Sequence, residues 1–417
     1  MSKLNYIDLF AGAGGLSEGF IRAGYNPLAH VEYDEAACFT LKTRLAFHHL
    51  KKNRPDIYLK YLKGDITRGE LYSNVPDETL STVINKRIGA DNKFIFNEID
   101  RFSEGKEIDL IIGGPPCQAY SLVGRARDEN SMKNDQRNHL YIEYNRFLLR
   151  YKPKIFVFEN VPGLLSASQG HYYRDMCRLF DKSGYITRHY KLEANNFGVL
   201  QKRKRILIIG YRKDLSINLP NLENYKSPIN STVKSVFTDL PVLKAGEGKD
   251  RDGSYSGKTN LWLTKAQIRN GIEVLTQHIA RPNNNQDKEI YHIAVAKWNN
   301  ARKERLDYNS LPDRLKSHNN RHSFFDRFKV VAAELPFSHT IVAHIAKDGH
   351  YYIHPDIKQN RSISVREAAR LQSFPDDYYF EGVKEGANRT AAYKQIGNAV
   401  PPLMASYIAG SLKQLII

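Results

Sequence analysis

The chain has 417 residues, with 62 Lys+Arg against 45 Asp+Glu and a formal net charge of +17; 41% of the residues are hydrophobic and 26% charged. That length suits two or three domains, the composition is that of a globular rather than a disordered protein, and no apolar run reaches the roughly 18 to 20 residues of a transmembrane helix. The start, MSKLNYIDLF, lacks the layout of a secretory signal, so a cytoplasmic protein with no membrane partner is expected. Its cysteines, Cys38, Cys117 and Cys177, sit at no CxxC or Cys/His spacing, which argues against a disulfide framework and a metal site. The positive excess leaves two readings: a polyanionic partner, nucleic acid being the commonest, or a solvated basic surface.

In chain order, Tyr6 to Phe10 reads as a buried strand, followed by a turn carrying Gly12, Gly14 and Gly15. Leu16 to Ala23 then reads as a helix that includes Gly19 and stops at Gly24. Leu28 to Val31 is a second strand, after which Asp34 caps a helix that turns Ala37, Leu41 and Leu45 inward. Asp65, in KGDIT, ends a third run. Ile108 to Ile112, Ile155 to Phe158 and Arg205 to Gly210 are further apolar strands. Continuous apolar strands separated by helices require a sheet covered on both faces, so the fold class is α/β with a doubly wound, mostly parallel sheet. After Tyr211 the texture turns rich in Pro, Gly, Asn and Ser, and from Arg361 helical patterning returns.

The glycine turn lets a ligand approach the backbone at the first crossover, but Ser17 stands where the dinucleotide pattern G-x-G-x-x-G needs its last glycine. Glu32 ends the second strand, where a carboxylate accepts from two ribose hydroxyls, and Asp65 is placed to accept from an adenine amino group. Together these point to a nucleoside cofactor without phosphates. Cys117 follows a buried strand and the stiff turn GGPP, a setting for a nucleophilic thiol rather than a packed one. Glu159, at the next strand end, is placed to donate to a ring nitrogen. Arg203 and Arg205 alternate into a strand, the first suited to a phosphate and the second to a base carbonyl. From Gln118 to Asn138 the chain is polar and nearly devoid of core residues, which reads as a loop closing over substrate; its arginines suit phosphates.

These blocks, in this order, resemble the cytosine C5 DNA methyltransferase family, in particular its bacterial restriction-modification enzymes. The residues that carry the resemblance are DLFAGAGGLSEGF (8–20), VEYDEAA (31–37), GDI (64–66), GGPPCQAYS (113–121), ENVPG (159–163), QKRKR (201–205), RSISVREAARLQSFPDDY (361–378) and QIGNAVPP (395–402). It implies a Rossmann-like S-adenosylmethionine-binding domain over 1–212 and 389–417, with a smaller, loop-rich target-recognition domain over 213–388. Phe10, Ala13, Gly15, Glu32, Tyr33, Asp65, Ile66, Gly114, Pro116, Leu140, Asn398, Ala399 and Val400 would hold the cofactor. Cys117, Glu159, Arg205 and Arg203 would be catalytic, and Gln118, Ser121, Arg125 and Arg137 would be the DNA-contacting residues of the loop. Cys117 would add to C6 of a flipped cytosine in duplex DNA, C5 would take the methyl group, and the adduct would then break down. A monomer is expected, with a companion endonuclease acting on the same DNA site.

The tRNA-modifying branch shares these blocks, but the long middle region favours duplex DNA, and Cys38-Phe39-Thr40 lies too early to be that branch's signature. A DNA-binding protein without catalysis has no need to keep Cys117, Glu159 and Arg205 together. The stretch 68–106 has no assigned chemistry.

Overall fold

The computed structural model describes residues 3–116, 139–319 and 321–416. The strands of the main sheet are β1 (Asn5–Leu9), β2 (Asn26–Glu32), β3 (Val83–Asn85), β4 (Leu110–Gly113), β5 (Ile155–Asn160), β6 (Tyr185–Glu193) and β7 (Lys204–Arg212). Among the described residues they form one seven-stranded sheet in the order β3-β2-β1-β4-β5-β7-β6. Pairing is parallel from β3 to β5 and antiparallel where β7 meets β5 and β6. Side chains alternate across it as the pleat demands. Tyr6, Leu110, Ile112, Ile155 and Val157 enter one core, and Ile7, Leu9, Ile111, Phe156 and Phe158 enter the other.

Helices α1 (Gly15–Arg22), α2 (Glu35–Leu50), α3 (Pro55–Lys63), α4 (Asn92–Ser103), α5 (Leu140–Tyr151), α6 (His171–Lys182), α7 (Asn285–Asn299), α8 (Val365–Leu371), α9 (Arg389–Asn398) and α10 (Pro402–Lys413) are the longer ones. Asp34 caps α2 by accepting from the Ala37 amide, 3.1 Å away, and Ala37, Leu41 and Leu45 are buried. Helices α1 and α10 cover the first core through Leu16, Phe20, Leu403, Met404 and Ile408. The opposite core takes Ile95 and Ile99 of α4, Tyr144 and Phe147 of α5, and Met176 and Phe180 of α6. No described helix is long and apolar enough to cross a membrane.

Two strands depart from the sequence reading. The run ending at Asp65 is helix α3, because Pro55 opens it and Ile57, Tyr58, Tyr61 and Leu62 fall on one buried helical face. Gly64 caps that helix at φ 84°, and Asp65 lies exposed beyond it. The third strand is β3, three residues inside the stretch without assigned chemistry, and edge strand β6 exposes Ile186, Arg188, His189 and Lys191.

Residues 361–381 are buried almost throughout, and Ile363, Val365, Leu371, Phe374, Tyr378 and Phe380 join the core that holds α1 and α10. Residues 290–328 and Ile353 have an apolar cluster of their own, built on Ile290, Tyr291, Tyr308 and Phe328. Buried ion pairs fasten the first of these segments. Arg370 lies between Asp239 and Asp376, and Arg361 grips Glu367, which also closes the capping box of α8 with Ser364. Arg44 of α2 joins Glu18 of α1 at 2.6 Å to Asp377 at 2.8 Å. Burial alone would raise the Glu18 carboxyl, but Arg44 and His48 hold it well below the usual range. Glu367 is held low in the same way by Arg361.

Both carboxyls have folded-state values below their unfolded value of about 4.3, so their contribution is complete above it and fades as the pH falls further. Glu18→Gln leaves Arg44 underpaired in the interior and is expected to cost about 3 kcal/mol at pH 7. Urea melts should show that deficit shrinking below about pH 4.

Candidate active site

At the carboxyl edge of the sheet, where strand order reverses between β1 and β4, ligands of such folds bind, and a cavity of about 610 Å³ opens there. β1 delivers Phe10 to it at φ 56° and then Gly12 at φ 55°. A Cβ on Gly12 would meet nothing within 4 Å, so that backbone faces open space. Gly15 is the reverse case. A Cβ there would lie 3.1 Å from the Ala399 Cβ and collide with the Val400 carbonyl oxygen, so only glycine lets α1 begin against the segment that follows α9.

Glu32 is held by three backbone amides: Gly12 N donates to Oε2 at 2.7 Å, and Tyr33 N and Asp34 N donate to Oε1, each at 2.8 Å. Burial raises its carboxyl, and those three donors partly offset the rise. Asp8, 1% exposed within β1, also lines the cavity. Its Oδ2 has no hydrogen-bond partner among the described residues, and burial, followed by the charge of Glu32, pushes its carboxyl well above the usual range.

On the other wall, Glu159 at the end of β5 accepts from Arg205 Nε at 2.6 Å, both side chains being only about an eighth exposed (13% and 12%). Gly114 lies under this pair: a Cβ there would strike Glu159 Oε2 and sit 3.2 Å from the Glu159 carbonyl oxygen. Asn160 is buried and reaches the Pro115 carbonyl at 3.4 Å.

Phe10, Ala13, Gly15, Glu32, Tyr33, Gly114, Pro116, Leu140, Glu159, Arg205, Asn398, Ala399 and Val400 therefore line one cavity. Asp65 and Ile66 do not. Helix α3 carries them elsewhere, and Lys86, Arg87 and Ile88, just past β3, stand at the strand end where an acidic residue was expected. Arg203 is not a phosphate ligand. It is fully buried and donates to the carbonyls of Ile341 at 2.7 Å and Gly397 at 3.0 Å, so its charge cannot meet a DNA backbone. His278 and His354 are likewise buried, each 3% exposed. Cys117, Gln118, Ser121, Arg125 and Arg137 lie outside the described residues, as does the loop reading of 118–138. The last described residue before them, Pro116, borders the cavity.

Sequence reasoning missed Asp8, Asp34, Lys86 to Ile88, Lys394 and Gln395 as lining residues. An acidic residue inside an apolar strand was the available signal for Asp8. Lys394 reaches across the cavity rim to Asp34 at 2.8 Å. Cys38 is packed, with burial pushing its thiol up to about 12.

The model of the family described as C-5 cytosine-specific DNA methylase matches residues 4–71 and 71–414. The chain belongs to that family. It is 43% identical to the type II methyltransferase M.Bpa9945I of Bacillus paralicheniformis, with 98% of each chain covered. It is 30% identical to the type II methyltransferase M.DdeI of Desulfomicrobium norvegicum, covering 97% of this chain and 88% of that one. Among solved structures, a putative DNA modification methyltransferase encoded within an E. coli prophage superposes with a TM-score of 0.65 at 24% identity, 99% of each chain being covered. The Dnmt2 methyltransferase of S. pombe follows with a TM-score of 0.51 at 12% identity, over the full length of both; these two likenesses establish the shared fold.

Gly114→Ala should push the Glu159 carboxylate off Arg205 while leaving the sheet intact. Cytosine methylation is expected to fall at least about tenfold, equivalent to about 1.4 kcal/mol, with a thermal midpoint close to the parent's.

Proposed function

We propose that the cavity holds S-adenosylmethionine, and that the chain uses it to methylate C5 of a cytosine flipped out of a specific duplex DNA sequence, as the modification arm of a restriction-modification system. The observation that carries the reading is the convergence, in one cavity at the sheet's carboxyl edge, of the amide-clamped Glu32 and the Glu159–Arg205 pair. The cofactor's chemistry fits. Its size suits a space of this order, its ribose diol suits a carboxylate already fixed by three amides, and its cationic groups suit a buried carboxylate, Asp8, whose Oδ2 lacks a partner among the described residues.

Phe10, Ala13, Gly15, Tyr33, Gly114, Pro116, Leu140 and Asn398 to Val400 would line the remainder of the cofactor, with Lys86 to Ile88 at the β3 end. When bound, the cofactor supplies an electrophilic methyl group. The protein's task is to make C5 of cytosine nucleophilic. Cys117 adds as thiolate to C6, forming a C–S bond. Glu159 and Arg205 hold the ring, Glu159 through N3 and the exocyclic amine and Arg205 through O2, so that electron density moves to C5. After methyl transfer a water takes the C5 proton, the C–H electron pair re-forms the C5=C6 double bond, the C6–S bond breaks, and Cys117 departs as thiolate. Unstacking the target base costs a few kcal/mol, which phosphate contacts by Arg125 and Arg137 help to offset.

In this reading, residues 1–212 and 389–417 form the catalytic unit and 213–388 the target-recognition unit. The burial of 361–381 against α1, α2 and α10 gives the recognition unit a fixed base. Its similarity to type II methyltransferases supports a companion endonuclease with the same DNA site.

With methyl-labelled S-adenosylmethionine, duplex DNA should take up label and tRNA should not; label in tRNA alone would overturn the DNA assignment. Titration calorimetry should find Glu32→Ala at least about tenfold weaker for the cofactor, since a buried charge-assisted acceptor is lost, and Asp65→Ala unchanged.

A further inference from the structure

Residues 200–203, just ahead of β7, form a junction of three distant segments. The Lys202 amide donates to the Ser338 carbonyl at 2.8 Å, the Ser338 amide to the Leu200 carbonyl at 3.0 Å, and the Thr340 hydroxyl to the Lys202 carbonyl at 2.5 Å. Gln201 accepts from the Ile341 amide at 2.8 Å and donates to the Leu371 carbonyl at 3.1 Å. It also meets Gln372, whose own amide donates to the Ile396 and Ala399 carbonyls at 3.0 and 2.7 Å. Arg203 completes the junction by binding the Ile341 and Gly397 carbonyls with one planar guanidinium.

We propose that Arg203 is a positioning residue that couples the middle region's engagement of DNA to the alignment of the catalytic wall. A rigid fork of donors fixes the spacing of the two carbonyls it holds. Parting them would leave a buried charged donor unsatisfied, which is far costlier than losing an exposed bond. Segment 338–343 therefore cannot shift without moving Gly397, the residue next to the Asn398–Val400 wall, or straining the start of β7, where Arg205 lies two residues on. The same segment is tied outward. Tyr352 donates to the Thr340 carbonyl and accepts from the Val342 amide, and Ile353 beside it belongs to the apolar cluster of residues 290–328. A continuous path thus runs from that cluster through Tyr352, Ile341 and Arg203 to Arg205 and the cofactor wall. This inference rests on the proposed functions of the middle region and of Arg205.

The test is a mutant cycle on turnover, with DNA affinity and thermal midpoint measured in parallel. Arg203→Lys, which keeps the charge but loses the fork, should lower kcat about tenfold or more with DNA Kd within about threefold of the parent. Thr340→Val, at the exposed side of the junction, should lower kcat about threefold on its own, again with DNA Kd retained, and cause no further loss in the Arg203→Lys background. Additive losses, a kcat unchanged by Thr340→Val, or a drop in kcat matched by the loss of folded protein would overturn the coupling. If Arg203→Lys fails to fold, the Thr340→Val result alone decides. Arg205→Lys separates this from the underlying reading: parental turnover in that variant would refute the role of Arg205 itself.

Discussion

The close approach of α1 to α10 is the constraint on which the site depends. Gly19 has no room for a side chain, since a Cβ there would lie 2.5 Å from the Ala405 carbonyl carbon, and one turn earlier Gly15 meets Ala399 and Val400 in the same way. The glycine turn therefore does two jobs at once. It exposes the backbone at Gly12 to the cavity, and it lets the segment from Asn398 to Val400 close the cavity's far side. Residues nearly 400 positions apart become neighbours because one helix face carries almost no side-chain volume.

Charge is distributed around that closure in a way the net value conceals. Arg203, Arg361, Arg366 and Arg370 are fully buried and bind carbonyls or carboxylates inside the protein. They hold segment 361–381 and the junction before β7 in place and take no part in attracting a polyanion. The positive excess that meets DNA has to come from exposed side chains, where counterion release makes affinity fall with salt.

Much of the site was legible because its signals are local. A glycine turn after an apolar strand, an acid at the next strand end and the ENV and NAV blocks each carry their geometry within a few residues, and the cavity gathers them. The failures have physical causes. Alternation along a strand places Arg203 and Arg205 alike, but Arg203 precedes the first residue of β7 and runs inward to Ile341 and Gly397, contacts that no pattern in QKRKR encodes. Asp65 looked like a strand end because GDI follows an apolar run, yet that run has helical spacing and a proline at its start. Strand β3 is three residues long and too short to show a period. Charge-lined burial of 361–381 was likewise invisible, since its partners Arg44 and Asp239 lie far off in sequence.

In the proposed mechanism Cys117 attacks C6 of the base, and a mechanism-based trap detects that step. Cytosine carrying fluorine at C5 accepts the thiolate and the methyl group but has no C5 proton to lose, so the adduct cannot collapse. After incubation of the protein with S-adenosylmethionine and a fluorinated duplex bearing its recognition site, peptide mass spectrometry should find the nucleotide joined to Cys117. Absence of any covalent complex, or a nucleotide on Cys38 or Cys177, would refute attack by Cys117.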